Sequence, residues 1–561
     1  MAKWEIKSDN LKQAEQIAVE CNVPVLLASI LASRGITKKQ DVETFLNPTR
    51  DDFYDPFEII DMAPAVERCI KAINENEKVC IYGDYDVDGI TSVTVLKNFF
   101  KDRGLEVGYY IPNRLDEGYG LNKQAIEKIA NDGYTLIITV DCGISSKEEV
   151  AYAYSLGLEV IVTDHHEPPK ELPECIAVVD CKRKDSTYKS PNLAGVGVSF
   201  KLIQAISKKL NLDDKEYLKY LDIVCIGTIS DIVPLTDENR VIAKLGLKLI
   251  AQTHNIGLRE LIKSCGFSEI NSSSVSFGIA PRINACGRMG HEQEAIKLFL
   301  TDDAAEAKQI TESLNKYNRE RQDIEKKIYD EAIELIEKRK INNNCTIIVG
   351  KKDWHHGVIG IVSSKITDKY FKPSILVSFD GDEAAGSGRS IPGFDLHDAL
   401  DKTSSYLEKY GGHSMACGLS MKKSNFEDFI SAFEQVAKSE DVDKIEPIIY
   451  IDKEITSKDM TIEIIDTLKL LEPFGEANPV PFFVYKNLKV ESIRALSEGK
   501  HLKLDLKDGN TVFSGIGFNM GDRSQDFKIG DKIDAVGMLE INEYNGYRNI
   551  QLNLKDIRKS Y

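Results

Sequence analysis

The sequence predicts an α/β protein: a domain built on a parallel sheet, joined by a long helix to a smaller α/β domain and followed by a β-barrel of the OB type. Three observations carry that class. Short β-branched runs alternate with helical stretches from Lys78 onward, as a parallel sheet covered on both faces requires. Residues 302 to 340 contain neither Gly nor Pro. Beyond about Glu446 the chain becomes a series of short strands of alternating polarity, with turn signals such as Asp508-Gly509.

Taken in order, residues 1–75 hold short amphipathic stretches such as LKQAEQIAVE and PVLLASILASRG, punctuated by Pro48, Pro56 and Pro64, and predict a small helical N-terminal layer. Residues 76–300 form the first α/β domain. Its strand runs are KVCIYGDY, EVGYYIP, TLIITVD and EVIVTDH, and helices are predicted at 90–103, 122–132 and 145–156. A mainly helical region follows to about Leu300. The segment 301–342 predicts a connecting helix of roughly 55 Å at 1.5 Å per residue; two helices broken at Asn315 to Asn318 are the alternative. Residues 343–445 return to alternation, with CTIIVG, a helix from Val358, SILVSFD and GDEAAGSGRS, the last read as a tight glycine-rich turn. Residues 446–561 form the barrel.

Composition narrows the function classes. At about 150 residues per domain, 561 residues give three or four domains, and 42% hydrophobic with 29% charged residues is the balance of a folded protein. The start MAKWEIKSDN lacks a basic, then apolar, leader, and no run of 18 apolar residues occurs, so neither secretion nor a membrane partner is expected. Eleven cysteines without a CxxC pair read as reduced thiols of a cytoplasmic protein, not a zinc site. A net charge of −17 argues against non-specific coating of nucleic acid, while leaving room for a local basic channel and for carboxylates gathered around divalent cations.

In a parallel α/β sheet, ligands bind beyond the carboxyl ends of the strands. Three of the apolar runs end in acidic or histidine clusters: Asp84, Asp86 and Asp88 after VCIY, Asp141 after LIITV, and Asp164-His165-His166 after VIVT. A helix N-cap explains any one of these but not three at equivalent sheet positions. Asp84, Asp86 and Asp88 alternate, so an extended segment would point them one way, where they repel unless cations hold them. Oxygen ligands with an imidazole suit Mn²⁺ or Mg²⁺, and two ions are expected. Asp231, the single charge in the apolar run Ile223 to Leu235, is a further candidate, with an exposed helix end as the plain alternative.

At this point DYDVDG, VDCG, TDHH and GTISDIVPL resemble the four ordered motifs of the DHH phosphoesterase superfamily. PNRLDEGYG (112–120), AGVGVSFKL (194–202), PRINACGRMG (281–290), DWHHGVIGIVSSKI (353–366), GSGRSIPGFDL (386–396) and GGHSMACG (411–418) look like its RecJ branch, the single-stranded-DNA exonucleases. The resemblance makes the first domain a DHH catalytic domain, residues 343–445 a DHH-associated substrate-binding domain and the barrel a nucleic-acid-binding domain. It implies that Asp86, Asp88, Asp141, His165 and Asp231 bind two metal ions, with Asp141 as bridge and Asp84 a weaker candidate. His166 would contact the scissile phosphate while an activated water attacks in line. It further implies 5′ to 3′ release of mononucleotides from single-stranded DNA in repair and recombination, in the bacterial cytoplasm, by a monomer that meets a single-strand-binding protein and a helicase.

Phosphate handling calls for cations in glycine-flanked settings: Arg282 and Arg288 in PRINACGR, Arg389 beside Ser387 in GSGRS, and His413 after two glycines. A structural bond is the alternative for each arginine. Lys365 stands where relatives commonly carry arginine, which puts a phosphate role there in doubt. Gly195-Val196-Gly197 lacks the third glycine of a dinucleotide fingerprint and reads as a loop closing on a helix. Tyr119 could stack on a base or simply pack. Two rivals remain: a phosphoesterase for very small substrates, which would not need the terminal barrel, and an inactive DNA-binding scaffold, which would not need the carboxylates.

Overall fold

The computed structural model describes residues 2–560 except 8, 9, 114–116, 119 and 545. The first α/β unit is built on five parallel strands in the order Gly108–Tyr110, Val79–Gly83, Leu136–Val140, Glu159–Thr163, Ala177–Val179. The central strands are buried throughout, which explains why they read as continuous apolar runs instead of alternating ones. The edge strand Ala177–Val179 is absent from the sequence reading, because three residues are too short to leave a pattern. The order reverses between Val79–Gly83 and Leu136–Val140, so the topological switch point, where doubly wound sheets bind ligands, lies between the strands that end at Asp84 and Asp141.

The connecting helix is continuous over Ala304–Arg339, with Asp303 as its N-cap. Ala307, Ile310 and Leu314 join the core of the first unit, whereas Ile328, Ala332 and Ile336 pack with the second. One helix is therefore a shared wall of two cores, with the three- and four-residue spacing that a buried stripe needs. The second unit is a mixed five-stranded sheet, Lys409–His413, Ala416–Lys422, Glu383–Arg389, Ser374–Asp380, Ile347–Lys352, in which the last two strands are parallel around the helix His356–Tyr370. The glycine-rich segment read as a tight turn is instead the strand Glu383–Arg389. An added Cβ at Gly386 or Gly388 would press on Leu419, Val377, Leu396 and Ile375, so these glycines serve close packing over the strand, not a reversal.

The terminal strands Phe483–Leu496, His501–Asp508, Thr511–Gly517, Tyr547–Lys559 and Lys532–Tyr544 close on themselves through the first and last of that order. Ser514–Ile516 pairs in parallel with Gln551–Asn553. This is a five-stranded barrel of OB topology. The N-terminal helices Leu11–Cys21, Val25–Ser33 and Lys39–Leu46 share its core: Leu27, Ile30 and Leu31 cluster with Leu471, Phe483 and Leu504. The strand Lys3–Ile6 pairs with Ile448–Ile451. The helix Met62–Glu75, by contrast, packs into the first α/β core through Met62, Val66 and Cys69. Among the described residues no single helix is long and apolar enough to cross a membrane.

Candidate metal centre and phosphate-facing residues

Three strand ends converge. After Val79–Gly83 the chain turns at Asp84 and Tyr85 and starts the helix Val87–Asp102, whose N-cap is Asp86, accepting from the amides of Asp88 (2.9 Å) and Gly89 (3.1 Å). Asp88 thus lies in the first helical turn, and the extended, same-side arrangement expected for Asp84, Asp86 and Asp88 is replaced by a strand-to-helix turn. Gly89 permits it, since a Cβ there would lie 2.3 Å from the Asp84 carbonyl oxygen. Asp88 is buried and accepts from the amides of Gly195 (2.6 Å) and Val196 (2.8 Å), the N-terminus of the helix Gly195–Lys209. The AGVG segment is the loop closing on a helix that the sequence suggested, and it grips a carboxylate.

Asp141 follows the third strand in the left-handed region (φ 59°), an uncommon conformation for a residue other than glycine. His165 Nε2 lies 3.0 Å from its Oδ1, and His165 Nδ1 lies 3.6 Å from Oδ2 of Asp231. Asp231 caps the end of the helix Leu221–Ser230 and is 22% exposed, so the helix-end alternative and the ligand reading describe the same residue. One ligand atom from each member lies within 4.8 Å of the others in three overlapping sets: Asp84, Asp86, Asp141; Asp88, His165, Asp231; and Asp141, His165, His166. Asp141 and His165 each belong to two.

Charge crowding follows from burial. Burial, followed by the charge of Asp86, pushes Asp88 up to about 7 despite its two amide donors. Burial and then the carboxylates of Asp88, Asp86, Asp84 and Asp231 hold Asp141 well above the usual range. Burial, with Asp88 and Asp86, raises Asp231 to about 9. Burial and the charge of His166 lower His165 to about 3, and neither of its buried ring nitrogens makes a hydrogen bond. A neutral imidazole with unsatisfied nitrogens among crowded carboxylates fits a hard divalent cation and is costly otherwise. Residues and ion chemistry therefore agree.

Asp164, which sequence reasoning left without a role, positions the histidines. Its carboxylate accepts from the amides of Ile144 (2.9 Å), His165 (2.7 Å) and His166 (3.2 Å) and faces His166 Nδ1 at 2.7 Å. Burial works against a charge on His166, but the Asp164 bond outweighs it and raises the imidazole to about 9. Asp180, after the short edge strand, is a second missed acid: it is fully buried, its Oδ2 has no hydrogen-bond partner, and burial raises it to about 7. The signal was available, because it too follows an apolar run, IAVV.

The cations are arranged less simply. Arg282 donates through Nε to Asn315 Oδ1 (2.7 Å) and through Nη1 to the Gly278 carbonyl (2.7 Å), tying its helix to the connecting helix. Arg288 donates to the Gly357 carbonyl (2.7 Å) at the start of His356–Tyr370. Arg389 ends its strand, with Nη1 on Ser387 Oγ (3.1 Å) and the Gly388 carbonyl (2.7 Å). His413 is exposed at the tip of the hairpin that joins Lys409–His413 to Ala416–Lys422. Lys365 pairs with Glu325 of the connecting helix, which Arg321 also holds; the lysine has a structural partner. Tyr119 lies outside the described residues.

With this geometry in place, the class is defined by domain matches: the DHH family, N-terminal domain, over residues 78–228, the DHHA1 domain over 342–439 and the RecJ OB domain over 451–556. The single-stranded-DNA-specific exonuclease RecJ of Bacillus subtilis (strain 168) is 38% identical over 99% of this chain and 70% of its own length. The protein of the same description from Haemophilus influenzae is 34% identical over 90% of this chain and 92% of its own length. The crystal structure of RecJ in complex with Mn²⁺ from Thermus thermophilus superposes with a TM-score of 0.86 at 29% identity, covering 100% of this chain and 80% of that one. The chain belongs to the RecJ family.

Proposed function

We propose that the protein is a single-stranded-DNA-specific exonuclease, a phosphodiester hydrolase dependent on Mn²⁺ or Mg²⁺, working from the 5′ end to mononucleotides. The observation that carries this reading is the three ligand sets linked to one another through Asp141 and His165 at the switch point of the sheet, on a chain that also ends in an OB barrel. Asp84, Asp86 and Asp141 would hold one ion, and Asp88, Asp141, His165 and Asp231 the second. When bound, the ions supply charge neutralisation for the phosphoryl oxygens and acidify water. The chain does the rest. Gly195 and Val196 amides fix Asp88, Asp164 orients His166, and the half-exposed His166 ring presents a proton to the scissile phosphate.

Arg389 with Ser387, His413, and the helix of Arg282 and Arg288 bind the strand's phosphates, so residues 76–300 catalyse, 343–445 bind substrate and 446–561 grip the single strand, with 301–342 as the link. The enzyme works as a monomer in the bacterial cytoplasm during repair and recombination, beside a single-strand-binding protein and a helicase. The test is digestion of 5′-labelled and 3′-labelled single strands, with duplex controls, in each metal. Mononucleotide release from the 5′ end of single strands is expected. Attack on duplex alone, or release from the 3′ end, would refute the proposal.

A further inference from the structure

The helix Asp237–Ile250 begins with the run Asp237-Glu238-Asn239-Arg240, which reads as a solvated helix start, yet Glu238, Asn239 and Arg240 are no more than 2% exposed. Burying polar side chains costs free energy unless each finds partners. Glu238 meets Lys201 at 2.7 Å inside the catalytic unit, and Arg240 donates to carbonyls of the N-terminal layer and of the approach to the barrel. Asn239, between them, has a different use. Its Nδ2 donates to the carbonyls of Asn192 (2.6 Å) and Pro234 (3.0 Å), while its Oδ1 is buried without a hydrogen-bond partner. The side chain serves as a two-pronged donor and nothing else.

Both carbonyls belong to segments that carry the metal centre. Pro234 comes three positions after Asp231, and Asn192 three positions before Gly195, whose amide together with that of Val196 fixes Asp88. The loop after Asp231 needs holding. Ile232 has φ 59° and Asp237 φ 45°, left-handed conformations that residues other than glycine keep only where their surroundings over-determine them. The Leu235 amide supplies one tie, to the Glu476 carbonyl (2.9 Å), and Asn239 supplies the one that faces the site. His165 lies 3.8 Å from Asp88 and 3.6 Å from Asp231, so a shift of either segment opens the set Asp88, His165, Asp231.

Resting on the nuclease reading above, we propose that Asn239 is a positioning residue for the second ion: its amide holds the Asp231 loop and the segment leading to Gly195 at the separation that lets Asp231 and Asp88 share one cation. It donates to neither carboxylate and acts through the backbone of both segments. Groups that orient metal ligands from behind typically change metal affinity about 10- to 100-fold when removed.

The test is Asn239→Leu, of similar size but without donors, beside Ile242→Val, which loosens a buried position on the same helix. Each is measured for thermal melting, for Mn²⁺ affinity by calorimetry and for cleavage of an oligothymidylate strand across Mn²⁺ concentrations. Asn239→Leu should bind Mn²⁺ about 10- to 100-fold more weakly, with cleavage recovered by added Mn²⁺ and KM for the strand unchanged. Ile242→Val should melt lower yet bind Mn²⁺ as wild type does. On an Asp231→Asn background Asn239→Leu should cost far less affinity, because the carboxylate it positions is gone. Should Asn239→Leu fail to fold, Asn239→Ser, which leaves room for a water between the two carbonyls, is read in the same way. Wild-type Mn²⁺ affinity in the Asn239 variant, an equal loss on both backgrounds, or a loss that added Mn²⁺ does not recover would overturn the positioning role and leave the nuclease reading standing. A wild type that binds Mn²⁺ but cleaves no single strand would overturn the nuclease reading, with the positioning role still decided by calorimetry.

Discussion

Gly195→Ala adds one methyl group beside the metal centre and replaces no proposed ligand, yet the structure makes it a severe change. A Cβ at 195 would lie 2.7 Å from both Cβ and Oδ1 of Asp141 and 2.9 Å from its Cγ, closer than non-bonded carbon and oxygen atoms tolerate. Asp141 has little freedom to retreat, being held at φ 59° between a buried strand and Gly143. Moving residue 195 instead would pull its amide from Asp88, which it meets at 2.6 Å. Either response displaces two carboxylates. Overpacking of this kind destabilises by about 1–3 kcal/mol, and a misplacement of about 1 Å at a reacting centre lowers rates on the order of 100-fold. The assay is nucleotide release from a labelled single strand, with Mn²⁺ affinity by calorimetry and thermal melting alongside. The variant should fold, melt a few degrees lower, bind Mn²⁺ more weakly and lose activity by about two orders of magnitude. Adding Asp141→Gly, which removes the opposing Cβ and suits the positive φ, should restore the melting temperature but not the rate. A Gly195→Ala enzyme with wild-type rate and metal affinity would refute the reasoning.

Asp141→Ala should abolish hydrolysis with the fold intact, EDTA should reproduce the loss, and more than a few per cent residual rate in saturating metal would remove Asp141 from the bridge position. Arg389→Ala should lower kcat/KM about 10- to 150-fold, the effect of a charge-assisted contact of about 1.5–3 kcal/mol, with partial rescue by lysine and unchanged Mn²⁺ affinity; near-wild-type kinetics would leave the guanidinium as a brace for Ser387 and Gly388. For the metal-free protein, Asp88 and Asp231 have folded values of about 7 and 9, above their unfolded values, so their contribution to stability is full at low pH and lost as pH rises through that range. His166, raised to about 9, loses stability in the same direction, while His165, lowered to about 3, changes nothing above the ordinary imidazole range. The rise in melting temperature on adding Mn²⁺ should therefore be larger at pH 8.5 than at pH 7, and an equal rise at both would show that carboxylate repulsion is not what the metal relieves.

The central strands were legible because burial on both faces writes them as apolar runs, and the acids at their ends stood out against those runs. The continuous helix Ala304–Arg339 followed from the absence of Gly and Pro. What the sequence hid was mostly three-dimensional. Asp88 does not share an extended segment with Asp84, because Gly89 lets a helix begin immediately against the strand end. The strand Ala177–Val179 was too short for periodicity to reveal, although its Asp180 follows an apolar run like the other acids. Arg282 reads as a phosphate ligand in one dimension; that two of its donor groups also brace Asn315 and Gly278 is a pairing that only the helix packing discloses.

Residues 1–75 read as one layer, yet Leu27, Ile30 and Leu31 belong to the barrel's core while Met62 and Val66 belong to the catalytic unit, and this changes how the barrel can be probed. Cutting the chain at about residue 447, which by sequence looks like removal of a separable DNA-binding module, would strip the apolar cover from the N-terminal helices and confound lost grip with lost structure. The join is polar as well as apolar. Arg240 of the catalytic unit donates to the carbonyls of Phe45 (2.6 Å), Leu471 (3.1 Å) and Glu472 (3.1 Å), Lys244 donates to that of Glu472 (2.6 Å), and Arg34 donates to that of Pro479 (2.7 Å). The Arg240 guanidinium, buried and donating to three carbonyls, is a poor candidate for opening and closing, since each opened bond leaves a buried donor unsatisfied. The segment that carries Phe474 and Pro479 is thus clamped from the catalytic side and from the N-terminal side, which fixes the barrel relative to Asp231.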